Sequence, residues 1–157
     1  GEYSLRLLCL DGSNGKALWD REVFNQDGTA PRIHTKNSHA SPTPVVHDGH
    51  IYVHFGHQGT ACLDLNGKPV WKSRDIQYRP VHGNGGSPAV VGDLLLFSTD
   101  GAKEQNVNAL NRHTGKLVWQ TQRDVERFKK FAFCTPLVID VDGREQAVCP
   151  GAGMVGC

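Results

Sequence analysis

Apolar residues in this chain come in short aliphatic or β-branched runs, each closed by Gly, Asp or Asn. That pattern predicts strands and tight turns. Between residues 88 and 122 the runs predict a four-stranded antiparallel sheet: Pro88–Val91, Leu94–Thr99, Val107–Asn111 and Leu117–Gln122. Apolar residues at helical spacing are hard to find. The longest such stretch, Arg123 to Phe133, is too short and too charged for a core helix. The chain reads as all-β, and its 18 glycines and 8 prolines agree with a turn-rich fold.

The sheet pattern repeats. Cys9-Leu-Asp-Gly-Ser-Asn-Gly15-Lys-Ala-Leu-Trp19 matches Cys62-Leu-Asp-Leu-Asn-Gly67-Lys-Pro-Val-Trp71 and Ala109-Leu-Asn-Arg-His-Thr-Gly115-Lys-Leu-Val-Trp119. The tryptophans recur at 52 and 48 residues, and all 3 in the chain occupy this position. A second landmark keeps the same beat: Thr43-Pro44, Ser87-Pro88 and Thr135-Pro136 each open an apolar run, at spacings of 44 and 48. Between strands three and four, an Asn or Asp side chain accepts backbone N–H groups. The glycine (Gly15, Gly67 or Gly115) supplies the positive φ of a bulged hairpin. Four short strands cannot bury two faces alone, whereas sheets stacked around an axis can. A period near 48 residues suits propeller blades.

The repeated Leu-Asp-x-x-x-Gly-Lys-x-x-Trp pattern resembles the tryptophan-docking repeat of PQQ-like (quinoprotein-like, BamB-like) propellers. The resemblance implies a partial β-propeller of four-stranded antiparallel blades, about three blades' worth of a seven- or eight-bladed ring. The expected units are a half blade at 3–23, blades at 43–74 and 87–122, and a partial blade at 135–157. Cys157 falls where the next motif is expected to open, and Gly1 is no initiator Met, so the segment is expected to continue on both sides. The open faces are then expected to meet further blades of a parent chain or a second copy.

A net charge of +1, from 17 basic and 16 acidic residues, gives no general attraction to nucleic acid. No stretch reaches the length of a membrane-spanning helix. Five cysteines include no Cys-x-x-Cys pair. Cys9, Cys62 and Cys157 share one repeat position with Ala109, which reads as a small residue packed between sheets. Cys134 and Cys149 fall on neighbouring strands, which leaves a disulfide open.

The 8 histidines divide. His47, His50 and His113 fall in or beside turns on one edge. Arg32, His34, Lys36 and His39 lie in the connection before the second blade, His57 in a loop after a second strand, and His82 and Asn84 in the next connection. In a propeller those segments emerge on one face, so these residues form a candidate polar cluster at the channel mouth. Three readings stay open: a solvated loop surface, a pocket for an anionic ligand, or an imidazole metal site. His50 and His54 lie about 13 Å apart along a strand, which is no zinc spacing. The glycine-rich stretch His82–Pro88 precedes no helix and cradles no phosphate. Asp140-Val-Asp-Gly143 lacks a calcium loop's later ligands and reads as a hairpin turn.

No catalytic, cofactor or metal residue is identifiable from these patterns. The resemblance implies a non-catalytic binding or scaffolding propeller of the bacterial cell envelope, periplasmic or secreted, with an envelope protein as partner. The alternative it implies is a fragment of a PQQ- and Ca-dependent quinoprotein dehydrogenase oxidising alcohols or sugars. The alcohol-oxidising enzymes of that type carry adjacent cysteines, and this chain has none.

Overall fold

A computed structural model describes residues 2–29, 31–123, 131–152 and, for the backbone alone, 154–156. Most of the Arg123–Phe133 stretch lies outside the described residues, as does Cys157. The described chain is all-β apart from one 3-10 turn, Gly56–Gln58.

Four antiparallel sheets follow one another along the sequence. The first pairs β1 (Tyr3–Leu10) with β2 (Ala17–Gln26). The second runs in order through β3 (Val45–His47), β4 (His50–His54), β5 (Thr60–Asp64) and β6 (Pro69–Ser73). The third repeats it with β7 (Ala89–Val91), β8 (Leu94–Asp100), β9 (Gln105–Asn111) and β10 (Leu117–Gln122). The fourth contains β11 (Leu137–Val141), β12 (Arg144–Gly151) and β13 (Met154–Gly156). This is a partial β-propeller built from four-stranded antiparallel blades.

The core lies between sheets. On β4 and β5, Ile51, Val53, Ala61 and Leu63 pack with Leu5, Val23 and Phe24 of the first sheet. Their neighbours Tyr52 and Cys62 pack with Leu95, Phe97 and Leu110 of the third. Alternate side chains point to opposite faces of a strand. Both faces here are covered, so the three central residues of β4 and of β5 are all apolar.

The repeated motif explains the stacking. Trp19 Nε1–H donates to the Leu65 carbonyl at 3.0 Å, and Trp71 Nε1–H donates to the Arg112 carbonyl at 2.8 Å. Each acceptor lies in the three-to-four turn of the next sheet. A Cβ built on Gly67 meets Cε3 of Trp19 at 2.9 Å, and one on Gly115 meets Cε3 of Trp71 at 2.5 Å. Gly15, Gly67 and Gly115 have φ of 72°, 77° and 73°, so both conformation and space require glycine at the latter two. The Asn or Asp opening each turn accepts backbone N–H groups, as expected: Asp11 Oδ1 from Ser13, Asp64 Oδ1 from Asn66 and Lys68, and Asn111 Oδ1 from His113 and Thr114.

Cys9, Cys62 and Ala109 stand opposite Trp19, Trp71 and Trp119 across the hairpin, and each register is interrupted near that pair. A small residue beside each indole leaves room for it. The second landmark forms an inner latch. Thr43 N–H donates to Ser87 Oγ at 2.8 Å, and Ser87 N–H donates to Thr135 Oγ1 at 3.1 Å.

Three expectations need correction. β2 runs to Gln26, beyond the expected Val23, because Phe24 and Gln26 are buried and Phe24 meets Phe55 edge-on. Cys9 is only half-buried, unlike Cys62, because β1 has no inner strand beside it as β5 has β4. Cys134 and Cys149 are both free thiols, so the open disulfide is absent.

Candidate functional site

The chain leaves β2 through residues 27–44, crosses β4 to β5 through residues 55–59, and leaves β6 through residues 74–88. Hydrogen bonds stitch these three segments into one face. His34 N–H donates to the His82 carbonyl at 3.1 Å. Asn37 Nδ2 donates to the carbonyls of His82 and Asn84 at 3.0 and 3.2 Å. Gln77 Nε2 reaches the His57 carbonyl at 3.3 Å.

The structure places the sequence candidates on that face but splits them among separate sites. His34 and His82 meet edge-to-face, their ring centroids 5.3 Å apart, and line a cavity of about 400 Å³ with Lys36, Asn37, Gly85 and Phe133. His34 Nδ1 accepts the Lys36 backbone N–H at 3.1 Å, so a neutral His34 carries its proton on Nε2. Phe131 meets His82 edge-to-face, with ring centroids 4.7 Å apart. Arg32 and His39 line a second cavity of about 390 Å³ with Tyr3 and Gln26. A third cavity, of about 310 Å³, takes His57, Gln58, Gln26 and Arg74. The rings of His39 and His57 lie 5.9 Å apart, so the second and third cavities adjoin.

Asn84 is buried rather than presented. It accepts from the Tyr78 hydroxyl at 3.2 Å and packs against Gly56. His57 is also buried, at 6% exposure.

Burial decides the charge of several of these imidazoles. Desolvation, with His39 nearby, pushes the His57 pKa down to about 4. Burial also holds His39 below its ordinary value. His54, at 3% exposure, is pushed down to about 3 by desolvation and then by His57. It stacks on Phe97 at 4.1 Å and meets Thr60 Oγ1 at 2.9 Å through Nδ1, while its Nε2 is buried without a partner. At neutral pH these three rings are uncharged. Positive charge on the face therefore comes first from Arg32, Lys36 and Arg74.

The sequence reading passed over Gln26, Asn37, Gln58 and Gln77, which hold the connections together or line the cavities. Neutral amides carry no charge or motif signal. Gly56-His57-Gln58-Gly59 was the available hint, since two glycines force the loop inward, with φ of 61° and 131°.

The donors of this cluster do not suit the calcium ion of the enzyme alternative. Ca²⁺ takes 6 to 8 oxygen ligands, rich in carboxylate. The cluster residues offer imidazole, guanidinium, ammonium and amide groups. The buried carboxylate of Asp100 is already bound to the Arg123 guanidinium and the Ala132 N–H. Among the described residues, no three His, Cys, Asp or Glu side chains are grouped to hold a metal ion.

No curated protein sequence matches the chain. Among solved structures, the chain is similar to a europium-containing methanol dehydrogenase, with 21% identity, 78% of this chain covered and a TM-score of 0.55. It is similar to quinohemoprotein alcohol dehydrogenase from Comamonas testosteroni, with 16% identity, 74% covered and a TM-score of 0.53. BamB from Moraxella catarrhalis matches at 21% identity over 74%, with a TM-score of 0.49. The chain spans 22%, 18% and 32% of those proteins, respectively. At such identities the likeness shows the propeller fold alone. Among the described residues, no helix is long and apolar enough to cross a membrane. The sequence profile of the family outer membrane protein assembly factor BamB matches residues 1–145. The chain belongs to that family, a PQQ-like propeller repeat family.

Proposed function

We propose that this chain is a segment of a non-catalytic binding or scaffolding propeller of the bacterial cell envelope, which presents the 27–44, 55–59 and 74–88 connections to a protein partner. One observation carries the reading. The repeat-matched residues are taken up in holding sheet to sheet, while exposed or half-exposed polar side chains, Arg32, His34, Lys36, His39 and His82, gather on one face. Membership of an outer-membrane assembly family supports an envelope setting, outside the cytoplasm. Under this proposal the indoles are docking residues of a longer ring, and further blades flank the segment.

Affinity capture and crosslinking of the longer protein that contains this segment test the idea. A defined envelope protein should be recovered, and Arg32→Glu combined with His82→Ala should abolish its recovery. His113→Ala, in a turn away from the face, should leave recovery unchanged. Recovery that ignores the face substitutions would overturn the reading. The enzyme reading is tested on the same protein by adding PQQ and Ca²⁺. Tight uptake with alcohol or sugar oxidation would replace the scaffold proposal.

A further inference from the structure

The third cavity differs in chemistry from the rest of the face. It lies where the end of β2 and the residues after it meet the Gly56–Gln58 turn and the exit of β6. Gln26, His57 and Gln58 are each 6% exposed, so three polar side chains are built into its walls. Gln26 Oε1 is buried without a partner among the described residues. An unmet buried acceptor costs about 1–3 kcal/mol, which makes it a marker for a missing donor.

The charged groups of the cavity are each partly engaged. Asp27 Oδ1 accepts the backbone N–H and the hydroxyl of Thr29, which hold its pKa down. Arg74 donates to the Asn25 carbonyl at 2.6 Å and sits over the Phe24 ring at 5.0 Å. His57 Nε2 accepts from Gln58 Nε2 at 3.0 Å, which leaves Nδ1–H as a donor. Gln77 Nε2 is held by the Arg74 carbonyl at 2.7 Å, and no hydrogen bond to its Oε1 is recorded among the described residues. Pro31 is the one apolar residue in the described lining.

An anion would face the Asp27 carboxylate, and an apolar body would find little wall to cover it. Alternating neutral donors and acceptors suit hydroxyls, which do both. A volume of about 310 Å³ stands at the small end of ligand clefts. We propose that this cavity binds a neutral, polyhydroxylated ligand of monosaccharide size through Gln26, His57, Gln58 and Gln77. The inference does not depend on the partner proposed above.

NMR titration of the chain with glucose, galactose and N-acetylglucosamine tests it, with gluconate and cyclohexanol as charged and apolar controls. At least one neutral sugar should give saturable shifts of the Gln26 and Gln58 side-chain amides, unchanged between low and high salt. Gln58→Met should weaken binding by about tenfold or more. Gln77→Met, at an exposed position, does the same service if Gln58→Met disturbs folding. The proposal falls if none of the three sugars saturates, if gluconate binds more tightly in a salt-sensitive way, or if the folded glutamine variants bind the sugar as well as the original chain does.

Discussion

Trp71 lies over Gly115 and donates to the Arg112 carbonyl, so one side chain joins two sheets by packing and by a hydrogen bond. Trp71 is half-buried, so removing the ring should cost up to the figure for buried large-to-small changes, about 3–5 kcal/mol for Trp71→Ala. Trp71→Phe keeps most of the packing and loses the N–H, at about 1 kcal/mol. Trp119, at 37% exposure and without a recorded acceptor among the described residues, should tolerate Ala at well under the Trp71→Ala cost. Urea unfolding midpoints compare the three. Glycines give a second contrast. Gly115 and Gly143 share a positive φ, 73° and 75°, but a Cβ on Gly143 meets nothing within 4 Å. Gly115→Ala should therefore be worse than Gly143→Ala by about 1–3 kcal/mol, the cost of overpacking against the indole.

Elements show how a sheet with two covered faces handles polar groups. His54 points from β4 into the interface with β8, where its ring is held neutral against Phe97. Its folded pKa, about 3, lies below the ordinary 6.5, so protonation favours the unfolded chain. The stability contributed by the neutral ring is complete above pH 6.5. It is lost as pH falls from there towards 3, by about 1.4 kcal/mol per pH unit. Unfolding free energy measured across that window should show the slope, and His54→Phe should reduce it, leaving the part that His57 contributes down to about pH 4. An unchanged slope in the variant would remove His54 as its source. Just before the inner strands, Ser87→Ala leaves the Thr43 N–H without its acceptor. The Thr43 amide should exchange faster with solvent, with a stability loss of about 1 kcal/mol.

The strands of the third sheet were readable to within two residues at each end, because Gly92, Asp93 and the Asn111–Gly115 turn punctuate them. The end of β2 was not. Phe24 and Gln26 are buried by the partner sheet, and only the stacked sheets reveal that contact. The same holds for the polar cluster. Its placement on one face followed from the order of strands, but the burial of His57 and Asn84 depends on close approach at Gly56, Gly59 and Tyr78.

At the scale of the molecule, the chain behaves as a stack whose cohesion lies between neighbouring sheets. Repeat architectures of this kind gain stability from each added interface. The first and last of the described sheets leave Leu8, Leu18 and Leu137 exposed, at 51%, 63% and 61%. The proposal that further blades flank the segment predicts concentration-dependent association of the isolated chain by light scattering. A stable monomer at all concentrations would count against it.

The interlocking of successive sheets through their indoles is most directly read from hydrogen exchange of the three indole N–H protons, resolved by NMR in this one chain. Trp19 and Trp71, each bonded to the next sheet, should exchange slowly, near the limit set by global unfolding. Trp119 should exchange far faster. Three indole protons exchanging at one common rate would contradict the account.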